Sequence, residues 1–109
     1  MRQRTGIAFI LTIVCLFLSA FPAFAGEWRQ NKEDQWEYIQ DDGTKATGWL
    51  DLDEDRYYLD ANGVRQSNRW IKDKSRGAWY YLDEDGVMAK DTWVDNYYVD
   101  EDGRYEKKR

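Results

Sequence analysis

Histidine is absent from the chain, and the single cysteine, Cys15, lies in an apolar stretch near the start. The first absence removes the side chain that most often serves as general base or metal ligand near neutral pH. The second leaves everything after residue 25 without a disulfide, so a small exported domain would have to be stabilised by packing. Positive charge is also scarce. Lys and Arg number 16 against 21 Asp and Glu, a net charge of −5. Arg2 and Arg4 are the only charges before Gly26, so residues 26–109 are two units more negative still. Such a balance argues against nucleic acid or an anionic lipid surface as partner. Phenylalanine is missing from most of the chain. Phe9, Phe17, Phe21 and Phe24 all fall in the first 25 residues, whereas the six Trp and eight Tyr all come later. Every aromatic ring after Phe24 therefore carries an N–H or O–H, which suits half-buried positions with one wet edge better than a dry core.

The long apolar run is confined to the start. Arg2 and Arg4 precede an apolar stretch from Ile7 to Phe21, and Ala23-Phe24-Ala25 follows. This is the layout of a signal peptide spanning 1–25, forming a signal helix and cleaved before Gly26. The stretch also approaches the length of a membrane-spanning anchor, the rival reading. Ile13 and Val14 precede Cys15 where a lipoprotein signal would need small residues, so the cysteine is a bystander.

What remains, 26–109, is a repeat. Four segments align: Trp36 to Gly43 (WEYIQDDG), Arg56 to Gly63 (RYYLDANG), Trp79 to Gly86 (WYYLDEDG) and Asn96 to Gly103 (NYYVDEDG). Their glycines are 20, 23 and 17 residues apart. Trp49, Trp70 and Trp93 follow Gly43, Gly63 and Gly86 by six or seven residues, and Trp28 leads the first unit. Trp, Tyr, Ile and Val favour strands. Asp42-Gly43, Asn62-Gly63, Asp85-Gly86 and Asp102-Gly103 read as turns. Alternation puts Trp79 and Tyr81 on one face and Tyr80 on the other, with the same split in each unit. A lone hairpin is marginal in water. Stacked hairpins bury both faces, so the expected fold is all-β, a short solenoid of about four hairpin units.

At Gly48-Trp49, at Ala78-Trp79-Tyr80-Tyr81-Leu82-Asp83, at Asp85-Gly86-Val87-Met88 and at Asp91-Thr92-Trp93, the chain resembles the cell-wall-binding, or choline-binding, repeat family, which is related to glucan-binding and toxin carbohydrate-binding repeats. The resemblance covers essentially all of 26–109. It implies a hairpin superhelix holding proteins at the cell wall of a Gram-positive bacterium, with choline caged by two aromatics of one hairpin and one of the next. Carried over by position, it implies cages of Trp28 and Trp36 closed by Tyr57, and of Trp70 and Trp79 closed by Tyr97. The middle cage has Trp49 and Tyr80, but Arg56 stands where a second Trp belongs, and a guanidinium there would repel a choline cation. At Trp93, Asn96 takes the Trp position.

A quaternary ammonium has no hydrogen to donate and is held by ring faces at about 0.5–2 kcal/mol per contact. Two or three rings then give a site of roughly millimolar strength. The expectation is non-catalytic, cofactor-free binding of cell-surface polymer, at choline on teichoic acid. The alternatives are stacking of glucan sugars on Trp and Tyr, or a structural module that pairs with other repeat proteins or with itself. In that last case Glu37 and Asn96 would serve as polar end caps. Calcium fits poorly. The run Asp51-Leu52-Asp53-Glu54-Asp55 begins like a Ca²⁺ loop, but Arg56 stands where Gly is needed and Asn62 where Glu is needed. An enzyme fits no better, because Thr44, Thr47, Ser67, Ser75 and Thr92 are the only Ser or Thr hydroxyls after residue 25 and none lies in a nucleophile motif. The basic tail from Arg104 to Arg109 reads as a frayed end.

Overall fold

The structure, a computed structural model, describes residues 26–109. The expected signal peptide over 1–25 lies outside the described residues. Nine strands and no helix make up the rest. They are β1 (Glu27–Gln30), β2 (Trp36–Ile39), β3 (Gly48–Leu52), β4 (Asp55–Leu59), β5 (Arg69–Asp73), β6 (Ala78–Leu82), β7 (Thr92–Val94), β8 (Tyr97–Val99) and β9 (Tyr105–Lys108). They form three two-stranded antiparallel sheets, β1-β2, β3-β4 and β5-β6, and a three-stranded sheet, β7-β8-β9. The chain is the all-β hairpin array that the repeat implied.

Register explains the aromatic spacing. Directly across each hairpin stand Trp28 and Tyr38, Trp49 and Tyr58, Trp70 and Tyr81, and Trp93 and Tyr98. Each pair meets with ring centroids 5.1–5.2 Å apart, edge-on or tilted. Such cross-strand aromatic pairs fix a hairpin's register.

The turns after β4, β6 and β8 share one device. The Asp60 carboxylate accepts the N–H groups of Asn62 and Val64, Asp83 accepts those of Asp85 and Val87, and Asp100 accepts those of Asp102 and Arg104. The turn is thus organised by the aspartate three residues before the glycine, not by the Asp or Asn beside it. Past each glycine the chain runs back along its own strand, bridging Leu59 to Arg65 and Leu82 to Met88. It then touches the previous hairpin. The N–H of Arg65 donates to the carbonyl of Trp36, and that of Met88 to Arg56, both at 2.8 Å.

The core is a file of side chains between hairpins. Leu59, Leu82 and Val99 are fully buried, one in each of the last three repeats, each ending a Tyr-Tyr strand. One cluster joins Tyr38 and Ala46 to Leu59; the next joins Ala78, Tyr80, Leu82 and Met88, with Trp49 and Tyr58 packed on it. Each cluster spans adjacent hairpins, as expected when a unit cannot bury its own face.

Two expectations need correction. The basic tail is not frayed. Residues Tyr105–Lys108 form β9, pairing Val99 with Tyr105, Tyr98 with Lys107 and Tyr97 with Lys108 across a bulge. Nor is Glu37 an exposed cap, whereas Asn96 is exposed. Glu37 is only 7% exposed. It accepts the Asn31 amide at 3.1 Å and pairs with Lys45 at 3.3 Å. Those bonds, the Asn31 bond foremost, hold its carboxyl below the usual range against the opposing effect of burial. Asn96 sits in the β7–β8 connection, where its carbonyl accepts the N–H of Arg109.

Candidate functional site: aromatic cages between hairpins

The leading Trp of each of the first three hairpins faces one tyrosine across its own hairpin and one from the next. The second contact always uses the first Tyr of a Tyr-Tyr pair. Trp28 meets Tyr57 at 5.0 Å, Trp49 meets Tyr80 at 5.2 Å and Trp70 meets Tyr97 at 5.8 Å. Alternation along a strand requires this division, since the second Tyr is committed to its own hairpin. The three expected Trp–Tyr pairs therefore meet across hairpin junctions. What occupies each junction differs.

The junction nearest the C-terminal end is an open apolar pocket of about 350 Å³ lined by Trp70, Trp79, Tyr97 and Tyr105. Tyr105 was not among the expected residues. It stands 6.2 Å from Trp70 and 5.9 Å from Tyr97, near perpendicular to the first, and supplies a fourth wall from β9. Trp79 is 45% exposed and Tyr97 and Tyr105 nearly as much, so the rings reach solvent. Lys72 and Lys108, the cross-strand partners of Trp79 and Tyr97, hold their ammoniums 5.6 and 5.9 Å from those rings, yet neither lines the pocket. Four ring faces around a volume of this size suit a small cation that offers no hydrogen-bond donor.

The middle junction is closed. Tyr80 is 2% exposed and belongs to the core. Trp49 carries guanidiniums from Arg56 at 5.9 Å and Arg76 at 5.7 Å, and its indole N–H donates to Asp73 at 2.8 Å. Arg56 is in turn fixed by Asp51 at 2.6 Å, and that bond holds the Asp51 carboxyl below its usual range. The polar edge of Trp49 is thus satisfied by protein.

The first junction brings Trp28 and Tyr57 together as expected, and an arginine lies between Trp28 and Trp36. The Arg65 guanidinium lies 5.1 Å from the Trp28 ring and 5.5 Å from that of Trp36. Tyr57 is half-buried, and desolvation pushes its phenol upward in pKa while Arg65 draws it back. At Trp93 the Arg109 guanidinium lies 4.2 Å over the ring. A wider polar cleft of about 620 Å³ beside the β3–β4 connection mixes carboxylates with Arg56, Arg76 and Arg104. Its one ring is the buried Tyr80, so it resembles none of the cages. Among the described residues no His, Cys, Asp and Glu group has metal-binding geometry.

A hairpin solenoid with aromatic cages at its junctions defines a class of small-cation or sugar-binding array. A choline-binding repeat matches residues 64–105, and a cell wall binding repeat matches residues 47–65. Among solved structures, the choline-binding domain of Spr1274 from Streptococcus pneumoniae is 34% identical at a TM-score of 0.67, over 73% of this chain and 93% of that one. The choline-binding domain of CbpL from the same organism is 33% identical at 0.65, over 76% and 44%. The multimodular pneumococcal cell wall endolysin from phage Cp-1, complexed with choline, is 31% identical at 0.66, over 78% and 25%. The chain therefore spans nearly all of the first, under half of the second and a quarter of the third. No curated protein matches it. The chain belongs to the choline-binding repeat family.

Proposed function

We propose that the chain docks on cell-surface polymer by holding choline in the Trp70, Trp79, Tyr97 and Tyr105 cage, without catalysing a reaction itself. The observation that carries this reading is the cage: four ring faces around an open apolar volume, with no side-chain cation lining it. A trimethylammonium fits that chemistry, since ring quadrupoles attract it and no buried donor goes unsatisfied. Charge points the same way. A chain of net charge −5 is repelled by a polyanionic wall. It therefore needs a cation displayed on that polymer, and choline on teichoic acid is one.

The likeness to choline-binding domains of pneumococcal proteins supports a Gram-positive wall as the location. The basic, apolar and Ala-x-Ala order of residues 1–25 supports export with cleavage before Gly26. In this reading 26–109 is the delivered module.

Retention on choline-bearing resin tests the proposal, run in enough salt to screen the net charge. The expected result is retention, release by free choline and no release by an equal concentration of sodium chloride. Passage through the resin at that salt would sink the reading, and retention on a glucan resin alone would move the function to sugar.

A further inference from the structure

One position in the repeat sends a side chain along each junction. It is the second residue after the turn glycine, held by Lys45, Arg65, Met88 and Tyr105. Arg65 and Met88 take the same place in their units. Each donates its N–H to the preceding hairpin at 2.8 Å, and each runs its side chain past the next unit's turn glycine. A Cβ on Gly86 would lie 2.7 Å from the Arg65 Cδ, and one on Gly103 would lie 2.5 Å from the Met88 Cε. The position thus points a stem along the junction and delivers its tip to the rings. Met88 delivers a thioether into the middle core, and Tyr105 delivers a ring to the open cage. Arg65 delivers a guanidinium to Trp28 and Trp36.

We propose that Arg65 is a built-in ligand. Its guanidinium occupies the Trp28, Trp36 and Tyr57 cage in place of an external quaternary ammonium, so the described array takes one choline rather than two. Three observations converge on this. The Cζ lies within 6 Å of both indole rings, the range in which a cation is held by a ring face. Among the described residues no carboxylate lies within ion-pairing distance of Arg65, so the rings are its principal partners. The cage itself is otherwise assembled, with Trp28 and Tyr57 in edge contact and Trp36 exposed. An external cation would have to displace a tethered one of the same sign, at the high effective concentration that tethering confers. Arg56 with Arg76 at Trp49, and Arg109 at Trp93, cover the other two leading tryptophans.

The inference rests on the choline reading, and two measurements separate their failures. The first is choline stoichiometry by equilibrium dialysis on the purified protein. The wild type should bind one choline, Arg65→Met two, Arg65→Lys one, and the double variant Arg65→Met with Trp79→Ala one. Methionine is the chosen replacement because Met88 already fills the equivalent place. Two cholines on the wild type, or one on a folded Arg65→Met, would overturn the plug while leaving the choline reading intact. The second measurement needs no ligand. In NMR spectra, the Arg65 Hδ and Hε resonances should lie upfield of their positions in Trp28→Ala, because the indole ring currents shield them. Unshifted resonances would overturn the plug whatever the dialysis gives. Shifted resonances with no choline bound by any variant would keep it and sink the choline reading.

Discussion

Asp83 shows how much one carboxylate does in this fold. It accepts two backbone N–H groups at 2.9 Å and sets the turn that returns the chain past Gly86. Bonds from charged acceptors contribute more than neutral ones, so Asp83→Ala should cost about 2–3 kcal/mol in urea unfolding, and Asp83→Asn clearly less. The sequence marked the turn by its Asp-Gly dipeptide. It did not reveal which aspartate organises it, because Asp83 and Asp85 are equivalent by residue type and only the returning backbone separates them. Titrating groups extend the same theme. Glu37, Asp42, Asp51 and Asp73 all hold their protons less tightly than usual, mainly through hydrogen bonds from Asn31, Thr44, Arg56 and Ser75 respectively. The unfolded chain, at the ordinary values of about 4, then binds more protons than the folded one. Stability should be full above about pH 4.5 and fall as the pH drops below it, measured as the shift of a urea midpoint. Tyr98 works at the other end. Its hydroxyl donates to Asp91, which pushes its pKa up to about 12. Its contribution is full below about pH 10 and fades as the pH rises toward 12.

At the scale of the hairpin, Leu82 and its equivalents tie each unit to the next. Leu82 has no exposed surface and sits among Tyr80, Met88 and Ala78. Leu82→Ala should cost about 2–5 kcal/mol, read from a chemical denaturation midpoint. The hairpins and their order were legible because glycine spacing and Trp position repeat together. Strand β9 was not. Its four residues include Glu106, Lys107 and Lys108, so charge hid the one ring that matters. Tyr105 follows Gly103 by two, as Met88 follows Gly86, and that spacing is the signal that could have revealed it. The charged residues also suit β9 to an edge, since lysines discourage further strand pairing. Tyr105→Ala removes the fourth wall of the cage and should weaken choline binding by about tenfold in a calorimetric titration, a loss of about 1.4 kcal/mol within the range of one ring contact.

At the scale of the molecule, the rings serve both as core and as candidate cage. Tyr80 and Tyr38 are buried, whereas Trp79, Tyr97 and Tyr105 remain open. Composition alone could not divide them, because a leading Trp and a following Tyr recur at the first three junctions. The division comes from neighbours distant in sequence, namely Arg76 at Trp49, Arg65 at Trp28 and Tyr105 at Trp70. Arg56 alone was visible beforehand as an obstacle. If the described residues hold one open cage, as proposed, capture is weak, roughly millimolar, and gains no avidity from the repeats themselves.

The most direct test of this account is tryptophan fluorescence of the purified protein during a choline titration, with sodium chloride and a glucan oligosaccharide as controls. The predicted result is a saturable response at roughly millimolar choline, absent with the salt and lost in Trp79→Ala. No response to choline, or a response to the oligosaccharide alone, would contradict it.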